Sequence, residues 1–194
     1  EHGAGAVAVD CQAMAERIKG TPCLAFVKLN DEGVPAACEG DLTALMTMIF
    51  LSSLANRPTF MGNIVYADPR DNVIDVNHCV FPFRMKGYTA EPKPYVLRGY
   101  HDRGYGVTAT FDPGTGQEVT VARFDTLFQE LVFLKGTVVS CGEGYCRFNL
   151  RVKVADAGEV IRQARGNHHI LVYSDHTESI KALSSELGIA PVAV

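Results

Sequence analysis

The sequence has 194 residues, 47% apolar and 21% charged, with 18 Lys and Arg against 22 Asp and Glu for a formal net charge of −4. That length fits one large domain or one and a half smaller ones, and a compact chain of this size buries roughly 70% of its unfolded surface, enough for a core without staples. The acidic balance argues against a polyanion-binding surface, so no nucleic-acid partner is expected, and no apolar run approaches the roughly 20 residues needed to span a bilayer.

The chain opens Glu1-His2-Gly3, with neither an initiator Met nor a secretory leader, which predicts a piece of a longer protein. Residues 6–9, Ala-Val-Ala-Val, read as a short buried strand. Asp10 is placed to cap a helix through residue 19, ended by Gly20-Thr21-Pro22. A second helix over 23–31 stops at Gly33, and 34–38 is a brief apolar strand. Glu39-Gly40-Asp41 then turns into residues 42–54, strongly apolar and without Gly or Pro, a buried helix with Asp41 near its N-cap.

After Asn56-Arg57-Pro58 the texture becomes β-rich. Residues 60–67, 72–80, 95–99, 107–111, 118–124, 129–139 and 146–154 read as strands separated by Asp-, Pro- and Gly-rich turns, the pattern of an antiparallel barrel or sandwich. The tail returns to α/β: a helix near 155–164, a strand over 168–173, a helix near 177–187 and an apolar run at 189–194. The expected fold is α+β. Residues 1–57 form the tail of an incomplete α/β, Rossmann-like domain, and residues 58–194 a β-barrel domain with appended helices. Two short strands cannot build a doubly wound sheet, so the missing strands are expected upstream.

Six cysteines stand at 11, 23, 38, 79, 141 and 146. Cys141 and Cys146 flank a Gly-Glu-Gly-Tyr turn, a spacing allowed for half a zinc site, but no second close Cys/His pair has zinc-finger spacing. Free, mostly buried thiols in a reducing cytosol are the favoured reading, with a bridge or zinc site the alternative.

Three places carry residues suited to chemistry. Glu39 follows an apolar run and precedes a helix, so it sits at the carboxyl end of a strand, where ligands collect in open α/β sheets. The plainer reading is a carboxylate complementing the helix dipole. His78 alternates with Val76 and Val80, and a lone His on such a face is usually a hydrogen-bonded core residue. His168 and His169 begin a strand, so their side chains point opposite ways and at most one faces a given site. One carboxylate and two imidazoles from distant strand ends suit an open Mn²⁺, Co²⁺ or Zn²⁺ site, although spacings this long have no motif specificity. Phosphate-loop, nucleophile-elbow and H-E-x-x-H motifs are absent. Tyr88, Tyr95, Tyr100 and Tyr105 near Lys93, Arg98 and Arg103 are suited to lining a sugar or RNA surface, but ordinary strand aromatics explain them at least as well.

The stretch Cys38-Glu39-Gly40-Asp41-Leu42-Thr43-Ala44-Leu45, then Phe60-Met61, Asn77-His78 and Gly166-Asn167-His168-His169, resembles the C-terminal half of the L-fucose/L-arabinose isomerases. The likeness is closer to the fucose-isomerase-like group, where Leu29-Asn30-Asp31-Glu32-Gly33 also fits. The four blocks stand in family order over nearly the whole chain. The resemblance implies a cytoplasmic, homo-oligomeric enzyme that interconverts aldoses and ketoses through a cis-enediol with a divalent metal, Mn²⁺ foremost and Co²⁺ or Zn²⁺ as alternatives. Carried over by motif, the metal falls to Glu39, His78 and His169, with Asn63 and His168 toward the sugar substrate and Glu39 also catalytic. One departure matters. The family carries a carboxylate after Phe-Met or close to it, whereas Phe60-Met61 here precedes Gly62-Asn63, neither of which is a general base. Asp68 or Asp41 is the candidate replacement. Failing both, the chain is a sugar-binding relative that keeps the pocket without the chemistry.

Overall fold

A computed structural model describes residues 3–101 and 103–194; the Glu1-His2 start lies outside the described residues. The first segment runs β1 (Val7–Ala8), α1 (Cys11–Ile18), α2 (Cys23–Asp31), β2 (Ala36–Ala37) and α3 (Leu42–Ala55). Each helix begins where the local chemistry dictates. Asp10 accepts a hydrogen bond from the Ala13 amide at 3.2 Å and Asp41 one from the Ala44 amide at 2.8 Å, satisfying donors that a helix start leaves orphaned. Asn56, at φ 49°, ends α3 in the left-handed conformation. β1 and β2 pair in parallel, Val7 against Ala36, so both carboxyl ends point the same way. The strands are shorter than the apolar runs predict, because only two residues of each find a partner.

The remainder comprises β3 (Phe60–Asp68), β4 (Val73–His78), β5 (Val96–Gly99), β6 (Val107–Thr110), β7 (Glu118–Phe124), β8 (Glu130–Gly142), β9 (Phe148–Lys153), α4 (Ala157–Gln163), β10 (His168–Tyr173), α5 (Thr177–Glu186) and β11 (Ala190–Ala193). Six strands close an antiparallel barrel in the order β8-β7-β10-β3-β4-β9, with β9 returning to β8. The expected α+β class, a small parallel α/β piece followed by a barrel with helices, is the observed one. Two details differ. β5 and β6 form a separate hairpin outside the barrel, and β10, expected in an α/β tail, is a central barrel strand between β7 and β3. The last run, β11, pairs in parallel on the outside edge of β8. Local patterning identifies strands but not their partners, which is why these two placements escaped it.

Alternation divides the barrel into two cores. Phe60, Ile74, Val121, Leu134, Leu150 and Leu171, one from each barrel strand, pack together in the interior, joined by Ala157 and Val160 of α4. The opposite alternates, among them Met61, Ala122, Phe133, Ile170 and Val172, pack outward against α2, β2 and α3. Ala44, Leu45, Met48 and Leu51 of α3 are buried in that second core, and each large side chain contributes about 1.5–3 kcal/mol by leaving water. This contact clamps the start of α3, and with it Glu39, against the start of β10. No helix among the described residues is long and apolar enough to cross a membrane.

Candidate metal centre and its pocket

Glu39 and Gly40 follow β2 with φ of 59° and 65°. A non-glycine residue in that left-handed region costs of order 1 kcal/mol. The turn is held by the Gly40 amide donating to the Val9 carbonyl at 3.0 Å and the Asp41 amide to the Cys38 carbonyl at 3.2 Å. It carries the Glu39 carboxylate from the carboxyl end of the parallel pair toward the barrel. The Glu39 side chain stays 33% exposed, so a solute can reach it.

His78 is the last residue of β4 and His168 the first of β10, with β3 between them: Asn63 stands opposite both His168 and Asn77. Glu39 Oε1 lies 3.8 Å from His78 Nε2, and Oε2 lies 3.6 Å from His168 Nε2. The two imidazoles are edge to face with centroids 5.4 Å apart. One donor atom from each of the three residues falls within 4.8 Å of the others. Both rings are buried, yet His78 Nδ1 and His168 Nε2 have no hydrogen-bond partner among the described residues. A buried polar atom left unpaired costs about 1–3 kcal/mol, and an ion shared by the three side chains would relieve that cost at His168 Nε2. One carboxylate with two imidazoles suits Mn²⁺, Co²⁺ or Zn²⁺, so the residues present fit a divalent metal.

Behind the triad stands a buried ionic support. Asp41 Oδ2 lies 2.9 Å from His168 Nδ1, which leaves Nε2 turned toward Glu39. A carboxylate holding the far nitrogen of an imidazole is the arrangement that orients metal-binding histidines. Arg123, 5% exposed, donates to Asp41 Oδ2 at 3.0 Å, to the His168 carbonyl at 2.6 Å and to the Arg165 carbonyl at 3.1 Å. Gly166 explains itself here. Its φ is 141°, and a Cβ there would lie 2.8 Å from the Arg123 guanidinium.

These contacts set the charge states. The adjacent His168 imidazole holds Glu39 below the ordinary carboxylate range, although burial opposes it. Burial alone would raise Asp41, but His168, the Ala44 amide and Arg123 outweigh it and leave Asp41 well below its usual value. Burial also works against a charged His168, and Asp41 and Glu39 reverse that, raising it. His78, with burial and the neighbouring His168 both against its charge, is lowered to about 4.

Not every residue singled out in the sequence arrives at this point. The structure brings His168, not His169, to Glu39 and His78. On β10 the two neighbours face opposite ways, and His169 shares the alternation of Leu171 and Tyr173, which line the barrel interior. Its ring meets the Asn167 carbonyl at 3.3 Å, and burial lowers it to about 4. Asp68 ends β3, pairing with Val73 at the opposite end of the strand from Phe60 and Met61. There it accepts from the Arg70 guanidinium at 3.1 Å and the Tyr66 hydroxyl at 3.2 Å, so it brings no carboxylate to the site. Asn63 stays in the row beside His168. Asp41 caps α3 as expected and in addition supports His168, a role that the sequence reading did not assign to it.

Glu39 opens on a pocket of about 490 Å³ lined also by Gln12, Glu16, Tyr100, His101, Arg103, Tyr105 and Cys146. Tyr100, Arg103 and Tyr105 thus line a cavity as the sugar-surface reading allowed, whereas Tyr88 and Tyr95 line a different groove. Sequence reasoning missed Arg123 and Glu16. Arg123 lies 82 positions from Asp41, and no local spacing announces such a pair.

No protein-family model matches the chain. It is 27% identical over 199 residues to a sulfoquinovose isomerase of Clostridium sp. (strain MSTE9), covering 97% of this chain and 44% of that protein. It is 23% identical over 208 residues to a sulfoquinovose isomerase of Alkalicoccus urumqiensis, covering 100% of this chain and 45% of that protein. The chain therefore spans less than half the length of these curated relatives and is distantly similar, along nearly all of its own length, to part of two sugar isomerases.

Proposed function

We propose that this chain is the C-terminal part of a divalent-metal-dependent aldose–ketose isomerase, in which Glu39, His78 and His168 hold the ion and Mn²⁺ is the ion expected. In this reading residues 1–57 finish an α/β domain and residues 58–194 are the barrel domain of a homo-oligomeric enzyme. The observation that carries it is the convergence of three donors from separate segments, one of which, Glu39, lines a pocket. The distant likeness to two sulfoquinovose isomerases supports it.

A divalent ion held there would polarise a sugar carbonyl and stabilise negative charge on the oxygens beside it. The protein's own groups supply the rest. Asp41 fixes the His168 ring so that Nε2 faces the shared point. Glu39 is anionic at neutral pH and the most accessible of the three, so it is the group placed to take a proton from the carbon next to the carbonyl and return it to the neighbour, through a cis-enediol. Glu16 is a second carboxylate lining the same pocket.

A second reading, sugar binding without isomerisation, is favoured by one feature. A Cβ at Gly62 would lie 2.6 Å from Val76 Cγ1 and 3.1 Å from the Phe60 ring, so that strand position is closed to a carboxylate. The discriminating experiment incubates the protein, in its full native length and loaded with Mn²⁺, with sulfoquinovose and a panel of aldoses in D₂O. Deuterium at C1 or C2 with ketose formation is the expected result. Sugar binding without exchange selects the second reading. Both fail if no sugar binds and Glu39→Ala leaves the Mn²⁺ content unchanged.

A further inference from the structure

A second cluster of donors stands next to the first and uses different chemistry. Cys79 directly follows β4 and His78, His101 lies in the β5–β6 connection, and Cys146 lies in the β8–β9 connection. Cys79 Sγ is 3.3 Å from His101 Nε2, and Cys146 Sγ is 3.6 Å from the same nitrogen. The three donor atoms all fall within 4.8 Å of one another, and no disulfide uses either sulfur. A tetrahedral zinc ion, with Zn–N about 2.0–2.1 Å and Zn–S about 2.3 Å, holds its nitrogen and sulfur ligands about 3.6 Å apart. Both observed separations come within about 0.3 Å of that value.

We propose that Cys79, His101 and Cys146 form a second, soft-metal site that takes Zn²⁺, separate from the oxygen- and nitrogen-donor triad of Glu39, His78 and His168. Two thiolates and one imidazole select zinc over manganese, whereas the neighbouring carboxylate and imidazoles accept the harder ion, so donor type sorts two metals into two adjacent sites. Three protein ligands leave a fourth position for water or a bound ligand. His101 and Cys146 line the same pocket as Glu39, so a fourth ligand would reach the ion from that pocket. The ion would tie the β5–β6 hairpin, which among the described residues pairs with no barrel strand, to the end of β4 and to the β8–β9 turn.

The test is Co²⁺ substitution of the full chain with Mn²⁺ present. The expected result is one equivalent of Co²⁺ showing the intense near-ultraviolet thiolate-to-cobalt absorption. Zn²⁺ should in parallel protect two of the six cysteines from a thiol reagent. Cys146→Ser should abolish both signals, while Cys141→Ser and Glu39→Gln keep them. The wild-type spectrum and the thiol count read the site even where Cys79→Ser fails to fold. The proposal is overturned by a wild-type protein without the absorption band, by a band that survives Cys146→Ser or disappears in Cys141→Ser, or by a Cys79–Cys146 disulfide mapped in protein purified under reductant. None of these outcomes depends on isomerase activity.

Discussion

Inside the barrel, Phe60 and Phe81 lie 4.6 Å apart and Phe81 and Phe148 5.0 Å, in a core of aliphatic and aromatic side chains drawn from all six strands. A few ångströms away, where the β2–α3 turn meets the strand ends, the buried groups are imidazoles, thiols, a carboxylate and a guanidinium. Two of the buried side-chain atoms without a hydrogen-bond partner among the described residues are histidine nitrogens of that seam. The interior gains its stability chiefly from apolar burial. The seam keeps polar atoms buried and incompletely paired, and such groups persist where a ligand completes them.

Four substitutions break or sharpen that contrast. The largest expected effect is in the interior. Leu171→Ala, at a fully buried barrel position, should lower unfolding free energy by about 3 kcal/mol in a denaturant titration while the remaining folded protein binds metal as before. A metal affinity that falls in proportion would mean that interior and seam are one cooperative unit rather than two. Next comes the pair on β10. His168→Gln should weaken Mn²⁺ binding by about 100-fold, or about 2.7 kcal/mol, and His169→Gln by less than about tenfold, measured by isothermal titration. The reverse order would mean that the strand runs in the other register in the metal-bound protein. The smallest effect belongs to Asp68→Asn. Its partners are Arg70 and Tyr66 at the other end of β3, so metal affinity should stay at the wild-type value and only the melting temperature should drop slightly. A metal-binding defect there would return Asp68 to the site.

Much of this architecture is legible locally. Asp10 and Asp41 precede apolar runs and do cap α1 and α3, because an aspartate that satisfies an orphan amide acts through residues three positions away. The strands are marked by alternation and by the Gly, Pro and Asp turns between them. Glu39, between a short apolar strand and a buried helix, is recognisable as a strand-end carboxylate for the same reason. The second helper of His168 was not legible. Arg123 alternates with Val119 and Val121 as any strand residue does, and its meeting with Asp41 depends on how α3 docks on β7 and β10. Cys146 illustrates the same limit. Its spacing invites a partnership with Cys141, four residues of turn away, yet it faces Cys79 and His101 instead, while the Cys141 thiol donates to Asp112 at 3.1 Å.

What the amino-acid sequence determined by itself is the succession of elements, the caps that begin two helices, and the fact that His168 and His169 must face opposite ways. All of these rest on interactions within a few residues, or on the two-residue period of a strand. Tertiary structure decided which of the two histidines meets Glu39. It also decided that β10 closes the barrel, that β5 and β6 stay outside it, and that three residues at 79, 101 and 146 share one point. Alternation specifies that neighbours diverge but is silent about which face meets which core. That choice is made by register and barrel closure, where a shift of one residue would exchange the two histidines.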